Sequence, residues 1–127
     1  MPASAETVEQ RLHSIKMKGK EVFKIAVKGM SEALVEAANR AGLKLEDITH
    51  VIPHQANLRI IQAIADRLEV PDEKLVINVD KYSNTGAASV IIGLDEALRS
   101  GRIKSGDSIA MAAFGAGLAL ASAVVRW

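Results

Sequence analysis

The chain has 127 residues, 49% of them hydrophobic, enough to fill the core of one compact domain. Basic and acidic residues number 16 and 15, for a net charge of +1, and aromatics make up only 3%, so neither a global field nor a set of stacking platforms points to nucleic acid. There is no cysteine, which excludes a disulfide framework and thiolate metal sites, and no apolar run reaches membrane-spanning length; the chain reads as a soluble, cytoplasmic protein with no membrane partner.

Residues 1–14 read as an N-terminal extension with a short helix expected over 7–12, too polar for a secretory signal. From Val22 onward, Phe23, Ala26, Val27, Met30, Ala33, Leu34, Ala37 and Ala38 recur at intervals of three and four and predict a long helix, ended by Gly42. Residues 48–52 predict a short strand stopped by Pro53, and Leu58, Ile61, Ile64, Ala65 and Leu68 predict a second helix that ends before Pro71. Residues 75–79 alternate as a further strand, 82–86 form a loop, and 87–98 predict a third helix closed by Gly101. Residues 108–114 and 118–125 predict an antiparallel strand pair around Gly115-Ala116-Gly117. Strands alternating with helices imply a layered α/β domain, with a mixed sheet, helices on its faces and the antiparallel pair at the C-terminus.

In such sheets ligands gather beyond the carboxyl ends of the strands, where this reading places His54 and Asn84. Imidazole and carboxamide can both donate hydrogen bonds to one carbonyl oxygen, the arrangement that stabilises an enolate or a tetrahedral oxyanion. A lone histidine also serves to cap a helix or pair a core carbonyl, and an Asn-Thr-Gly string also serves as a plain turn. Two features favour the functional reading. Gln55 and Asn57 crowd amides beside His54, and Gly86, Ala87 and Ala88 leave the following helix start without side-chain bulk. Gly115-Ala116-Gly117 reads as a hairpin turn or as a backbone N–H aimed at a substrate oxygen. Residues 17–24 read as a solvated cationic face or as the mouth at which a phosphorylated carrier docks. His13 and His50 lack comparable neighbours and are assigned to surface or packing, and no His, Asp and Glu cluster has the spacing of a metal site.

Taken in order, Met17-Lys18-Gly19-Lys20-Glu21-Val22-Phe23-Lys24, Pro53-His54-Gln55-Ala56-Asn57-Leu58-Arg59-Ile60-Ile61, Asn84-Thr85-Gly86-Ala87-Ala88-Ser89, Leu94-Asp95-Glu96-Ala97-Leu98 with Gly101-Arg102-Ile103-Lys104, and Phe114-Gly115-Ala116-Gly117 with the close Val124-Val125-Arg126-Trp127 resemble the C-terminal half of the 3-oxoacyl-[acyl-carrier-protein] synthase III family. The resemblance runs over residues 15–127 and implies a thiolase-like fold, in which two similar α/β halves pack together, usually in a homodimer. It implies an acyltransferase that joins an acyl group from coenzyme A to malonyl-acyl carrier protein with loss of carbon dioxide, with no cofactor beyond these substrates. By motif position His54 and Asn84 are similar to the pair that holds the malonyl thioester carbonyl. Phe114 is similar to a phenylalanine packed near that site, and Ala116 stands where the family has a glycine whose N–H helps form an oxyanion hole. Gly19, Phe23, Ala56 and Asn57 resemble residues along the pantetheine arm, and Lys24 and Arg59 resemble the cations that receive acyl carrier protein. The family nucleophile is a cysteine in an N-terminal half, which this sequence does not contain, so the chain alone is expected not to condense. The other readings are a non-catalytic module for acyl carrier protein or coenzyme A, a condensing enzyme of secondary metabolism, and an assembly half whose apolar face pairs with its like.

Overall fold

Local capping sets the first elements of the chain. The computed structural model describes residues 2–14 and 17–127; Met1 lies outside the described residues, as do Ile15 and Lys16, where the expected boundary between extension and domain falls. Helix α1 spans Ala5–Glu9, upstream of its expected place, because Ser4 caps it: Thr7 N donates to Ser4 Oγ (3.2 Å), and Ser4 N donates back to Thr7 Oγ1 (2.8 Å). Helix α2, Gly19–Arg40, starts three residues before the apolar period, since Glu21 N and Val22 N both donate to Lys18 O at 3.0 Å. It ends as expected: Gly42 takes φ +71°, which lets Leu43 N reach back to Ala38 O (3.0 Å).

Strand β1 (His50–Pro53) is followed by α3 (Leu58–Leu68), the one-turn α4 (Val79–Tyr82), α5 (Ala88–Arg99), and the hairpin strands β2 (Ser108–Gly115) and β3 (Ala119–Arg126). The sheet order is β1-β2-β3, with β1 parallel to β2 and β2 antiparallel to β3, the mixed sheet the pattern implies. Side chains divide by strand alternation. Val51, Ala110 and Ala112 join Ala26, Met30 and Leu34 of α2 and Ile61 and Ile64 of α3 in one core layer. Ile52 and Ile109 face the opposite way and pack on Val90 and Ala97 of α5, with Val76 and Ile103. Strand β3 is the open edge and is mostly solvent-exposed, with Leu120, Val125 and the following Trp127 uncovered.

The strand expected over residues 75–79 does not form. Leu75 makes a single parallel bridge to Val51, and Val79 already opens α4. Val76 N still donates to Val51 O (2.9 Å), but other backbone groups of the segment are taken by side chains. Val76 O accepts from Gln55 Nε2 (3.1 Å), Asn78 N donates to Gln55 Oε1 (2.9 Å), and Leu75 O accepts from Arg102 Nη2 (2.9 Å). His13 and His50 hold local roles: His13 Nε2 lies 2.8 Å from Thr7 Oγ1, and buried His50 lies 3.4 Å from Asp107 Oδ2 at the far end of β1. No helix among the described residues is long and apolar enough to cross a membrane.

Candidate active site

Because β1 and β2 run parallel with Pro53 opposite Ala112, the segment after β1 and the tip of the hairpin emerge at the same end of the sheet. His54 is pinned there: its N–H continues the ladder to Ala112 O (2.8 Å), and its carbonyl accepts from Ala56 N (2.9 Å). Asn57 then caps α3, with Oδ1 accepting from Arg59 N (2.9 Å), so its amide N–H groups remain free to face the cleft.

The second loop arrives under tension. Ser83 sits at φ +57°, ψ −164°, a region that side chains rarely adopt and that costs roughly 1–3 kcal/mol. It turns the chain into Asn84, whose Oδ1 accepts from Gly86 N (3.0 Å). With its oxygen so occupied, the carboxamide of Asn84 has its N–H groups to offer. Gly86 itself is at φ +64°, where glycine carries no Cβ penalty.

Both loops open onto one cleft of about 1090 Å³, whose walls include His54, Asn84, Phe114 and Ala116. Gly19, Phe23, Ala56, Asn57 and Arg59 also line it, at the mouth formed by the start of α2 and the start of α3. Of the residues given a site role by the family resemblance, Lys24 lies off these walls, exposed on α2. Ala116 has no positive φ, so an alanine fits this position without strain and still presents an N–H at the hairpin tip.

Burial holds the His54 imidazole below its ordinary value, and a smaller opposing pull comes from the Gly86 carbonyl. The ring is therefore biased toward the neutral form, in which one nitrogen donates and the other accepts. Two buried residues that the sequence reading did not single out as site residues hold this centre in place. Gln55, with no exposed surface, donates to Pro53 O (2.8 Å) and Val76 O and accepts from Asn78 N, tying the His54 turn to the segment that leads to Asn84. Ser89 Oγ lies 2.7 Å from His54 Nδ1. Chemically the cleft offers hydrogen-bond donors from two loops beside an apolar wall, the equipment for stabilising negative charge on a carbonyl oxygen. Among the described residues no group of three or more His, Asp or Glu side chains gathers as a metal site would require.

Comparison with known proteins agrees with this architecture. A family model described as 3-oxoacyl-[acyl-carrier-protein (ACP)] synthase III C terminal matches residues 38–127. The β-ketoacyl-[acyl-carrier-protein] synthase III of Caldanaerobacter subterraneus is 59% identical over 127 residues, which is 100% of this chain and 38% of that protein. The crystal structure of 3-oxoacyl-[acyl-carrier-protein] synthase III from Aquifex aeolicus superposes with a TM-score of 0.86 at 49% identity, covering 89% of this chain and 37% of that one. The priming β-ketosynthase of the R1128 polyketide biosynthetic pathway superposes at 0.79 with 38% identity, over 97% of this chain and 38% of that one. The chain thus spans well under half the length of the relatives it matches, and its α/β fold is that of a thiolase-like half. On these grounds the chain belongs to the 3-oxoacyl-[acyl-carrier-protein] synthase III family, whose C-terminal part it matches.

Proposed function

We propose that residues 15–127 form the C-terminal catalytic half of a ketoacyl synthase III, an acyltransferase of fatty-acid synthesis that condenses an acyl-coenzyme A starter with malonyl-acyl carrier protein. The single observation that carries this reading is the meeting of His54 and Asn84 in one cleft, with the Asn84 oxygen taken by Gly86 N so that its N–H groups are free. In the proposed reaction both donate to the thioester carbonyl of the malonyl group. The bond from C2 to the carboxylate breaks, carbon dioxide leaves, and its electron pair enters an enolate whose oxygen the two donors stabilise. That carbon then attacks the carbonyl of an acyl-cysteine, and the cysteine thiolate departs.

The cysteine comes from a partner N-terminal half, since this sequence has none, so the chain alone does not condense in this account. The open β3 edge and its exposed Leu120, Val125 and Trp127 fit a fold that is covered by further protein. In the same reading Phe114 shields the enolate from water, and the Ala116 N–H serves an oxyanion. Gly19, Phe23, Ala56 and Asn57 flank the pantetheine arm. Lys24 and Arg59 receive the acidic carrier protein, for which their exposure at and beside the cleft mouth is suitable. The enzyme would be a cytoplasmic homodimer that needs no cofactor beyond its substrates.

The test joins this chain to the N-terminal portion of the Caldanaerobacter relative and follows decarboxylation of malonyl-acyl carrier protein. His54→Ala and Asn84→Ala should each lower the rate roughly 10²–10³-fold, the usual cost of removing one oxyanion donor. A folded chimaera whose turnover is indifferent to His54→Ala would leave only a docking role and overturn the catalytic reading.

A further inference from the structure

The buried hydroxyl of Ser89 has two contacts that together dictate where its hydrogen points. Ser89 is 1% exposed in the first turn of α5, behind the imidazole rather than on the cleft wall. Its Oγ lies 3.0 Å from Gln55 N and 2.7 Å from His54 Nδ1. A hydroxyl has one hydrogen and two acceptor positions, whereas a main-chain N–H can only donate. Gln55 N therefore occupies an acceptor position of Oγ, and the hydroxyl hydrogen needs an acceptor of its own. Among the described residues His54 Nδ1 is the hydrogen-bond partner that can take it.

From this we infer that Ser89 is a positioning residue that donates to His54 Nδ1 and so fixes the ring as the tautomer protonated at Nε2, with that N–H facing the cleft. The opposite arrangement, Nδ1–H donating to Oγ, would leave a buried hydroxyl hydrogen without an acceptor, which folded proteins avoid. The Gly86 carbonyl, which accepts from Ser89 N at 3.0 Å and keeps a second lone pair, pulls only weakly on the ring, whereas the hydrogen bond found at a ring nitrogen among the described residues is the one to Ser89 Oγ at 2.7 Å. The Pro53-to-Asn57 turn and the start of α5, 34 residues apart at this contact, are thus joined by a hydroxyl relay: the amide of Gln55 orients the serine, and the serine orients the histidine. The neutral ring favoured by burial is the form this relay requires.

The inference rests on the proposed role of His54 only for its consequence in catalysis; the tautomer itself is measured separately. Ring-¹⁵N histidine NMR, on the chain alone and on the chimaera, should show His54 protonated at Nε2, with an unprotonated Nδ1 whose resonance moves in Ser89→Ala and returns in Ser89→Thr. In the chimaera Ser89→Ala should lower kcat for malonyl decarboxylation about ten-fold, the worth of one such hydrogen bond, with KM unchanged because Ser89 is off the wall, and Ser89→Thr should recover it. A wild-type His54 protonated at Nδ1, or a Ser89→Ala variant with unaltered ring resonances, overturns the inference even if the Ser89→Thr variant folds poorly. The stated tautomer with decarboxylation insensitive to both Ser89→Ala and His54→Ala supports the positioning and sinks the catalytic reading instead.

Discussion

Replacing Gln55 with methionine separates the packing of the site from its polar wiring. The side chain is fully buried and makes three hydrogen bonds, to Pro53 O at 2.8 Å, to Val76 O at 3.1 Å and from Asn78 N at 2.9 Å. Methionine keeps the volume approximately but pairs none of them. The Asn78 N–H is the most exacting of the three, because it has one hydrogen and belongs to a residue only 1% exposed; each buried group left unpaired costs about 1–3 kcal/mol, and carbonyls sit at the lower end. The loss comes to roughly 3–5 kcal/mol, less about 1 kcal/mol from placing an apolar group in an apolar site. Against the roughly 5–15 kcal/mol that holds a domain of this size, that is a large fraction. Urea unfolding should show the midpoint falling by about 1–2 M at an unchanged slope. Hydrogen exchange of the Asn78 amide should rise before that of β1, since the latch holds the segment that carries Asn84. A midpoint shift below about 0.3 M, or uniform exchange across both segments, would refute the reasoning that this carboxamide replaces a strand ladder.

Three further expectations follow from the same structure. Burial lowers the His54 pKa from its ordinary 6.5, so the unfolded chain takes up a proton that the native state still refuses; stability should fall as pH drops from 6.5 to the lower native value and level off beneath it. The difference between wild-type and His54→Gln denaturation curves should carry that slope, and parallel curves would contradict it. Gly93→Ala places a Cβ 3.1 Å from Ile52 Cγ2 and 3.5 Å from Val76 Cγ1, between α5 and the sheet, and should lower stability by about 1–2 kcal/mol despite the better helix former. Gly29→Ala meets only the tip of the half-exposed Leu120 side chain, which can swing aside, so its melting temperature should rise, by an amount equivalent to about 0.5–1 kcal/mol.

The elements that could be read from the sequence are those whose formation is a local matter. The three-and-four spacing from Phe23 to Ala38, the run before Pro53 and the glycines at 42 and 101 each state their own structure, and the observed α2, β1 and α5 follow them closely. Residues 75–79 carry an equally good strand pattern, yet their conformation is set by Gln55 and Arg102, partners more than 20 residues away in sequence. Alternation reports which side chains are apolar, not which group pairs the backbone. The site divides in the same way. His54 announces itself by sitting at a strand-to-helix turn among small residues, whereas Asn84, expected after a strand that does not form, lies between α4 and α5; the structure nevertheless brings both to one cleft. Ser89 stands in the same small-residue run, but its contact with His54 spans 35 residues and leaves no periodic trace. Only the meeting of the two loops in space gives it meaning.

The most direct test of the account is a crystal structure of the chimaera with a malonyl thioester analogue that cannot lose its carboxylate. The account predicts one carbonyl oxygen of the analogue held by both His54 Nε2 and Asn84 Nδ2, at about 2.7–3.2 Å from each. An analogue bound in the cleft with that oxygen on neither nitrogen, or on one alone while the other faces away, would contradict it.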